Sequence, residues 1–144
     1  MKYVDFIKEV EGLKSVTRSS FTATGRHEST AEHTWRLSLL AILMVKNLPE
    51  LNLEKVISMC LIHDIGELYI GDIPAVLLPN SQDKYDEEYQ AASTVFSLLP
   101  KSQGDELLHL WEEYNAGNTL ESKFVKALDK AETIIQHNQG LNPP

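Results

Sequence analysis

Leu61-Ile62-His63-Asp64-Ile65-Gly66-Glu67 sets a histidine and an aspartate side by side at the end of an apolar run that begins at Met59. The stretch reads as the last part of a helix from about Asn52, its N-cap, to Tyr69, ended by Gly71-Asp72-Ile73-Pro74. In such a helix His63 and Glu67, four residues apart, share a face, and Asp64 lies beside them, about 100° around. Adjacent polar groups in a core-like helix are costly unless something satisfies them. A divalent cation does so, because neutral imidazole and carboxylate are both good ligands for first-row metals. On this pair alone, a buried histidine hydrogen-bonded to its neighbouring carboxylate is an equal alternative.

Outward from this stretch the chain reads as a run of helices, with no convincing period-two strand pattern and no internal repeat. A first helix covers roughly Tyr3 to Leu13, with Val4, Ile7, Val10 and Phe6 inward. A polar loop follows, Lys14 to Glu28, carrying Arg18, Arg26 and His27. Ser29 stands three residues before Glu32, the capping-box spacing, and starts a helix that runs to about Asn47. Further helices are predicted over about Asp83 to Leu99, Gly104 to Tyr114 and Thr119 to His137. Trp35, Phe96, Trp111 and Phe124 fall within helical patterns and read as core residues. The fold class is therefore all-α, a bundle of about six helices, and 144 residues suit a single domain, 1–144.

Composition narrows the function. Apolar residues make up 42% and charged residues 24%, the balance of a soluble globular protein. Thirteen basic against 21 acidic residues give a net charge of −8, which argues against a nucleic-acid binder. An anionic substrate stays open, because a bound cation reverses the local field. The single cysteine, Cys60, forms no intrachain disulfide and reads as a small core residue rather than a nucleophile. The N-terminus lacks the apolar stretch of a signal peptide, and the longest apolar run, Leu39 to Val45, is too short to span a membrane. A cytoplasmic protein without a membrane partner is expected.

Two more segments share the chemistry of the opening stretch. His33 falls one turn inside the capped helix. Asp129 lies on the border of the inward stripe of the last helix, marked by Phe124, Val125, Leu128 and Ile135. Alone, His33 would be a surface histidine beside the cap, and Asp129 a solvated carboxylate pairing with Lys126 or Lys130. Together, His33, His63, Asp64 and Asp129 make a sensible ligand set for one octahedral or five-coordinate metal with open positions. Three helices of a bundle can converge such side chains on one point.

This order of His33, His63-Asp64 and Asp129 resembles the HD-domain superfamily of metal-dependent phosphohydrolases. Ser29-Thr30-Ala31-Glu32-His33-Thr34, the opening stretch, Gly71-Asp72-Ile73 and Phe124-Val125-Lys126-Ala127-Leu128-Asp129-Lys130-Ala131-Glu132 look like the branch that contains the 5′-deoxynucleotidases. The likeness runs from about Phe6 to His137. It implies a helical fold with one divalent metal ion (Co, Mn, Zn, Mg or Fe) on His33, His63, Asp64 and Asp129. It implies hydrolysis of nucleoside 5′-monophosphates to nucleoside and phosphate, and a homodimer. It also implies that Arg18 contacts the phosphate, that Glu67 serves the reaction, and that Asp72 serves the reaction and the sugar.

Each of these three has a plainer alternative. Arg18 could be a solvated loop cation, Glu67 an acceptor that orients His63, and Asp72 ordinary turn chemistry after Gly71. Ser19 stands where the branch carries a tryptophan that packs the sugar, which puts strict selection of 2′-deoxyribose in doubt. Relatives continue past the last motif helix, so a C-terminal helix present in them is expected to be lacking here. Two other readings compete: an HD hydrolase acting on a cyclic nucleotide, a triphosphate or an alarmone, and a nucleotide- or metal-binding module without turnover. The presence of Glu67 argues against the last, since binding alone does not need it.

Overall fold

Side-chain caps start most of the helices in the computed structural model of the protein, which describes residues 1–70 and 80–144. Helix α1 covers Lys2–Val10 and passes into a 3-10 turn, Glu11–Lys14. Strands β1 (Thr17–Phe21) and β2 (His27–Ser29) follow, then α2 (Thr30–Met44), α3 (Leu53–Ile62), α4 (Ser81–Phe96), α5 (Lys101–Ala116) and α6 (Leu120–Gln139). Ser29 Oγ accepts from the Glu32 amide at 3.2 Å while Glu32 returns a bond to the Ser29 amide at 2.9 Å, closing the capping box expected for α2. Thr119 and Ser122 form the same reciprocal pair at the start of α6, and Asn52 and Asn80 cap α3 and α4. The all-α class holds, with six helices among the described residues.

Two apolar clusters carry the packing. One gathers Leu13, Ile62, Ile65, Val95, Phe96, Leu99 and Trp111 where α4 and α5 meet the end of α3. The other gathers Leu37, Ala41, Val56, Met59, Cys60, Val125 and Leu128 between α2, α3 and α6, with Tyr114 at its edge. Cys60 is buried there, as a small core residue should be. Among the described residues no helix is long and apolar enough to cross a membrane.

The segment read as a polar loop, Lys14 to Glu28, is instead a hairpin. Thr17 pairs with Ser29 and Phe21 with His27, in antiparallel register with an irregularity between them. Strands of five and three residues are too short to show alternation, and an isolated hairpin of this size is marginal in water. This one is held by α6. Gln136 Nε2 donates to the Phe21 carbonyl at 2.9 Å, the Leu141 amide donates to the Thr22 carbonyl at 2.9 Å, and Ser20 Oγ lies 3.2 Å from His137 Nε2.

Some expected core residues face outward. Trp35 is 62% exposed, because α2 buries Thr30, His33, Thr34, Leu37, Ser38 and Ala41 instead. Val4 and Ile7 on α1 are exposed, while Phe6 and Val10 pack against the first cluster. On α6 the inward stripe is Ser122, Val125, Leu128, Glu132 and Gln136, so Ile135 is 48% exposed. The expected helix through Tyr69 ends at Ile62. The Gly71-Asp72-Ile73-Pro74 stop lies outside the described residues.

Helix α5 begins at Lys101 rather than Gly104, and Gly104 lies in its first turn. A Cβ on Gly104 would meet the Phe96 carbonyl oxygen at 2.5 Å, so this glycine lets α5 start directly against the end of α4. Gly104→Ala should therefore destabilise the fold by about 1–3 kcal/mol, the overpacking cost outweighing the roughly 1 kcal/mol that alanine gains in helix propensity. Urea unfolding monitored by circular dichroism measures it, and a midpoint at or above the wild-type value would contradict the argument.

Candidate metal centre

Three helices deliver the cluster, and α3 does so at its very end. His63 is the C-cap of α3, and Asp64 leaves the helix with φ −96° and ψ 9° before a 3-10 turn, Ile65–Glu67. That bridge conformation is common at active sites. In an uninterrupted helix Asp64 would point about 100° away from His63. Here His63 Nε2 and Asp64 Oδ2 lie 3.1 Å apart. A Cβ on Gly66 would sit 2.7 Å from Glu88 Cβ and 2.9 Å from the Glu88 carbonyl, so the turn is seated tightly on α4.

The four sequence-derived candidates meet. His33 Nε2 is 2.6 Å from Asp129 Oδ1 and 3.8 Å from Asp64 Oδ2, and His63 Nε2 is 3.3 Å from Asp129 Oδ1. One atom from each of the four lies within 4.8 Å of all the others. Bonds of about 2.0–2.2 Å place two ligands of a single ion roughly 3–4.4 Å apart; the contacts of 3.1, 3.3 and 3.8 Å fall in that range, while His33 and Asp129, at hydrogen-bond distance, would separate by a few tenths of an ångström to share a cation.

The hydrogen-bond pattern supports the same occupant. His63 Nδ1 lies 2.8 Å from the Cys60 carbonyl, and His33 Nδ1 lies 2.5 Å from Glu132 Oε2. A carbonyl and a carboxylate can only accept, so both rings hold a proton on Nδ1 and, when neutral, turn a lone pair on Nε2 toward two aspartates. His63 Nε2 and Asp64 Oδ2 are buried and form no hydrogen bond. Lone pairs facing carboxylates in a buried pocket call for positive charge.

Electrostatics states that call in another form. Burial disfavours charged imidazole, yet hydrogen bonds to Asp129 and Glu132 outweigh it and raise the His33 pKa to about 9. Burial likewise opposes charge on His63, but the adjacent Asp64 and Asp129 carboxylates raise it to about 10. Burial would push Asp129 and Asp64 upward. The adjacent histidines overcome it and hold both carboxyls below the usual range.

The other expected residues divide. Arg18, on β1, reaches the cluster: Nη1 is 3.6 Å from Asp64 Oδ2, Nε is 3.6 Å from Glu28 Oε1, and Nη2 donates to Thr133 Oγ1 at 3.3 Å. It is thus no solvated loop cation. Glu67 is buried and accepts from Thr30 Oγ1 at 3.3 Å. The role of orienting His63 belongs to the Cys60 carbonyl rather than to Glu67. Asp72 lies outside the described residues. Arg26 and His27 are exposed, and Arg26 pairs with Glu32.

Sequence reasoning missed the polar residues behind the cluster. Glu132 binds His33 and accepts from Arg36 Nε at 3.0 Å, and Glu28 faces Arg18. The available signal was position: Glu132 is three residues past Asp129, on the same helix face. Glu28, His33 and Glu132 form a second close grouping, but Arg18 and Arg36 already supply its positive charge.

Fold and cluster together define an all-helical protein built around two buried histidines and two aspartates. A family model described as the HD domain matches residues 10–142, and the chain belongs to that family. It is 34% identical over 139 residues to 5′-deoxynucleotidase HDDC2 of Homo sapiens, covering 94% of this chain and 67% of that relative. It is 32% identical over 142 residues to 5′-deoxynucleotidase hdd1 of Schizosaccharomyces pombe, covering 94% and 71%. Among solved structures, a predicted metal-dependent phosphohydrolase from Magnetospirillum magnetotacticum superposes with a TM-score of 0.83 at 32% identity, covering 94% of this chain and 68% of that one. The chain thus spans about two thirds of the length of these relatives. The shared fold implies a divalent metal, and the cluster offers one a place.

After chelator treatment, adding back Mn²⁺ or Co²⁺ should raise the melting temperature. At a free concentration one hundred times Kd, the stabilisation is about 2.7 kcal/mol. Asp64→Ala and Asp129→Ala should each abolish the shift in thermal unfolding, whereas a full shift retained in both variants would remove the cluster as a metal centre.

Proposed function

We propose that this protein is a metal-dependent phosphomonoesterase that hydrolyses nucleoside and deoxynucleoside 5′-monophosphates to nucleoside and phosphate. The observation that carries the reading is the convergence of His33, His63, Asp64 and Asp129 with Arg18 beside them and Glu67 buried one turn further on. Relatives covering almost the whole of this chain bear the name 5′-deoxynucleotidase, which supports the substrate class.

The four side chains would hold one divalent ion, and mixed nitrogen and oxygen donors suit first-row metals such as Mn, Fe, Co or Zn better than Mg. When bound, that ion supplies Lewis acidity: it offsets the charge of a phosphate dianion and makes water a stronger nucleophile at neutral pH. Arg18 presents a guanidinium on the same side as Asp64, placed to take phosphate oxygens through its fork of donors. Glu67, held by Thr30, is the group to take a proton from the attacking water or to return one to the leaving 5′-oxygen. The family resemblance gives Asp72, which lies outside the described residues, a part in the reaction and in holding the sugar. Ser19 is exposed on β1 next to Arg18, and its small hydroxyl offers a sugar no ring to pack on, so ribose and deoxyribose monophosphates should both be turned over. The exposed stripe Trp35, Leu39 and Leu43 on α2 supports a homodimer.

The test is phosphate release from a panel of nucleotides by chelated protein reloaded with Mn²⁺, Co²⁺, Zn²⁺ or Mg²⁺. Release from monophosphates alone is expected; diphosphate or triphosphate products, or binding without release, would overturn the reading. Glu67→Ala should keep the metal-dependent thermal shift and lower kcat by about 10²–10⁴, the span of general acid–base catalysis. Unchanged turnover in that variant would remove Glu67 from the mechanism.

A further inference from the structure

The two histidines of the cluster are anchored from behind by different means. His63 gives its Nδ1 proton to a backbone carbonyl, that of Cys60, at 2.8 Å. His33 gives its own to a side chain, Glu132 Oε2, at 2.5 Å. Glu132 is 1% exposed and His33 is 0% exposed, so water does not compete for either group. The second carboxylate oxygen, Oε1, accepts from Arg36 Nε at 3.0 Å, and Arg36 Nη1 donates to Gln139 Oε1 at 2.6 Å. The chain of contacts runs Gln139, Arg36, Glu132, His33 and ends at the ring nitrogen facing Asp64 and Asp129.

A buried carboxylate is costly, and an apolar residue at this position of α6 would extend the stripe of Val125 and Leu128. Stability alone does not call for a glutamate here. A neutral imidazole has two tautomers, and only the one protonated on Nδ1 leaves Nε2 able to bind a cation. Glu132 selects that tautomer and holds the ring plane, and Arg36 holds Glu132 in place by occupying its other oxygen.

We propose that Glu132 is a positioning residue for the metal centre: through the Nδ1 proton of His33 it turns Nε2 toward Asp64 and Asp129, with Arg36 as its support. The inference rests on the metal reading given above. Carboxylates placed behind metal-binding histidines set affinity at a distance from the ion, and their loss typically costs about 10- to 100-fold.

Glu132→Gln is the informative variant, because it keeps the shape and removes the charge. An amide has one accepting atom for two donors. If its oxygen takes the His33 proton, its NH₂ faces Arg36; if it is reversed, it donates to Nδ1 and favours the tautomer with a proton on Nε2. Either way the arrangement is spoiled. Zn²⁺ affinity, measured by competition with a chromophoric chelator, should fall about 10- to 100-fold in Glu132→Gln and by less in Arg36→Gln. The cation-free variant, which loses the buried charge facing His33 and Arg36, should melt below wild type, and its Zn²⁺-dependent rise should shrink as well.

Long-range ¹H–¹⁵N correlation of the Zn²⁺-loaded, histidine-labelled wild-type protein should place the His33 proton on Nδ1, a readout that does not require the variant to fold. A proton on Nε2 in the wild type would overturn the proposal, as would Zn²⁺ affinity in Glu132→Gln equal to wild type. Wild-type protein that binds no cation would overturn the metal reading and this proposal with it. Wild-type binding that His33→Ala abolishes and Glu132→Gln leaves intact would overturn this proposal alone.

Discussion

Two imidazoles and two carboxylates share one buried point, and the demand for positive charge there organises the rest of the molecule. The contacts around His33 and Asp64 join four carboxylates, Glu28, Asp64, Asp129 and Glu132, to two guanidiniums, Arg18 and Arg36. With neutral histidines the carboxylates outnumber the guanidiniums, and a bound cation would offset that negative charge. The histidines whose pKa values rise to about 9 and about 10 show the same deficit being met by protons. An acidic chain with a net charge of −8 can in this way receive an anionic substrate, since the local field depends on the ion and Arg18 rather than on the overall sum.

The elements that look incidental serve this point. The short hairpin has little stability of its own, yet its bonds to Gln136, His137 and Leu141 tie it to the C-terminal end of α6 and the residues just beyond it. It carries Arg18 on one strand and Glu28 on the other, and both end beside the cluster. The end of α3 serves it too: His63 and Asp64 leave the helix with their side-chain atoms 3.1 Å apart, and Gly66 lets the 3-10 turn that follows lie against Glu88.

Much of this was legible in the residues themselves. Caps at Ser29, Asn52 and Thr119 are local chemistry and announce helix starts without help from the rest of the fold. His33, His63-Asp64 and Asp129 were readable because histidine and paired carboxylates are uncommon beside apolar runs, and three such places in one chain reinforce one another. The hairpin was not legible, since its strands are short and its support is a tertiary contact with α6. The break at Asp64 was not legible either, because His63, Asp64 and Gly66 are only mildly unfavourable in a helix and a run of such residues does not fix where one ends.

The misjudged faces have a single physical origin. Periodicity finds the inward side of a helix by assuming that what is buried is apolar. On α6 the buried residues include Glu132 and Gln136 while Ile134 and Ile135 face out, and on α2 His33 is buried while Trp35 faces out. Both helices border the cluster, and both use inward positions for groups that bind one another or a cation rather than for packing. The apolar residues that remain are displaced to the outside, where they blur the pattern further. On a helix that already carries a candidate ligand, a polar residue spaced three or four positions from that ligand and an apolar residue off the stripe are therefore better read together: they mark a face turned toward a polar centre, and Glu132, three residues beyond Asp129, is the residue such a reading would have found.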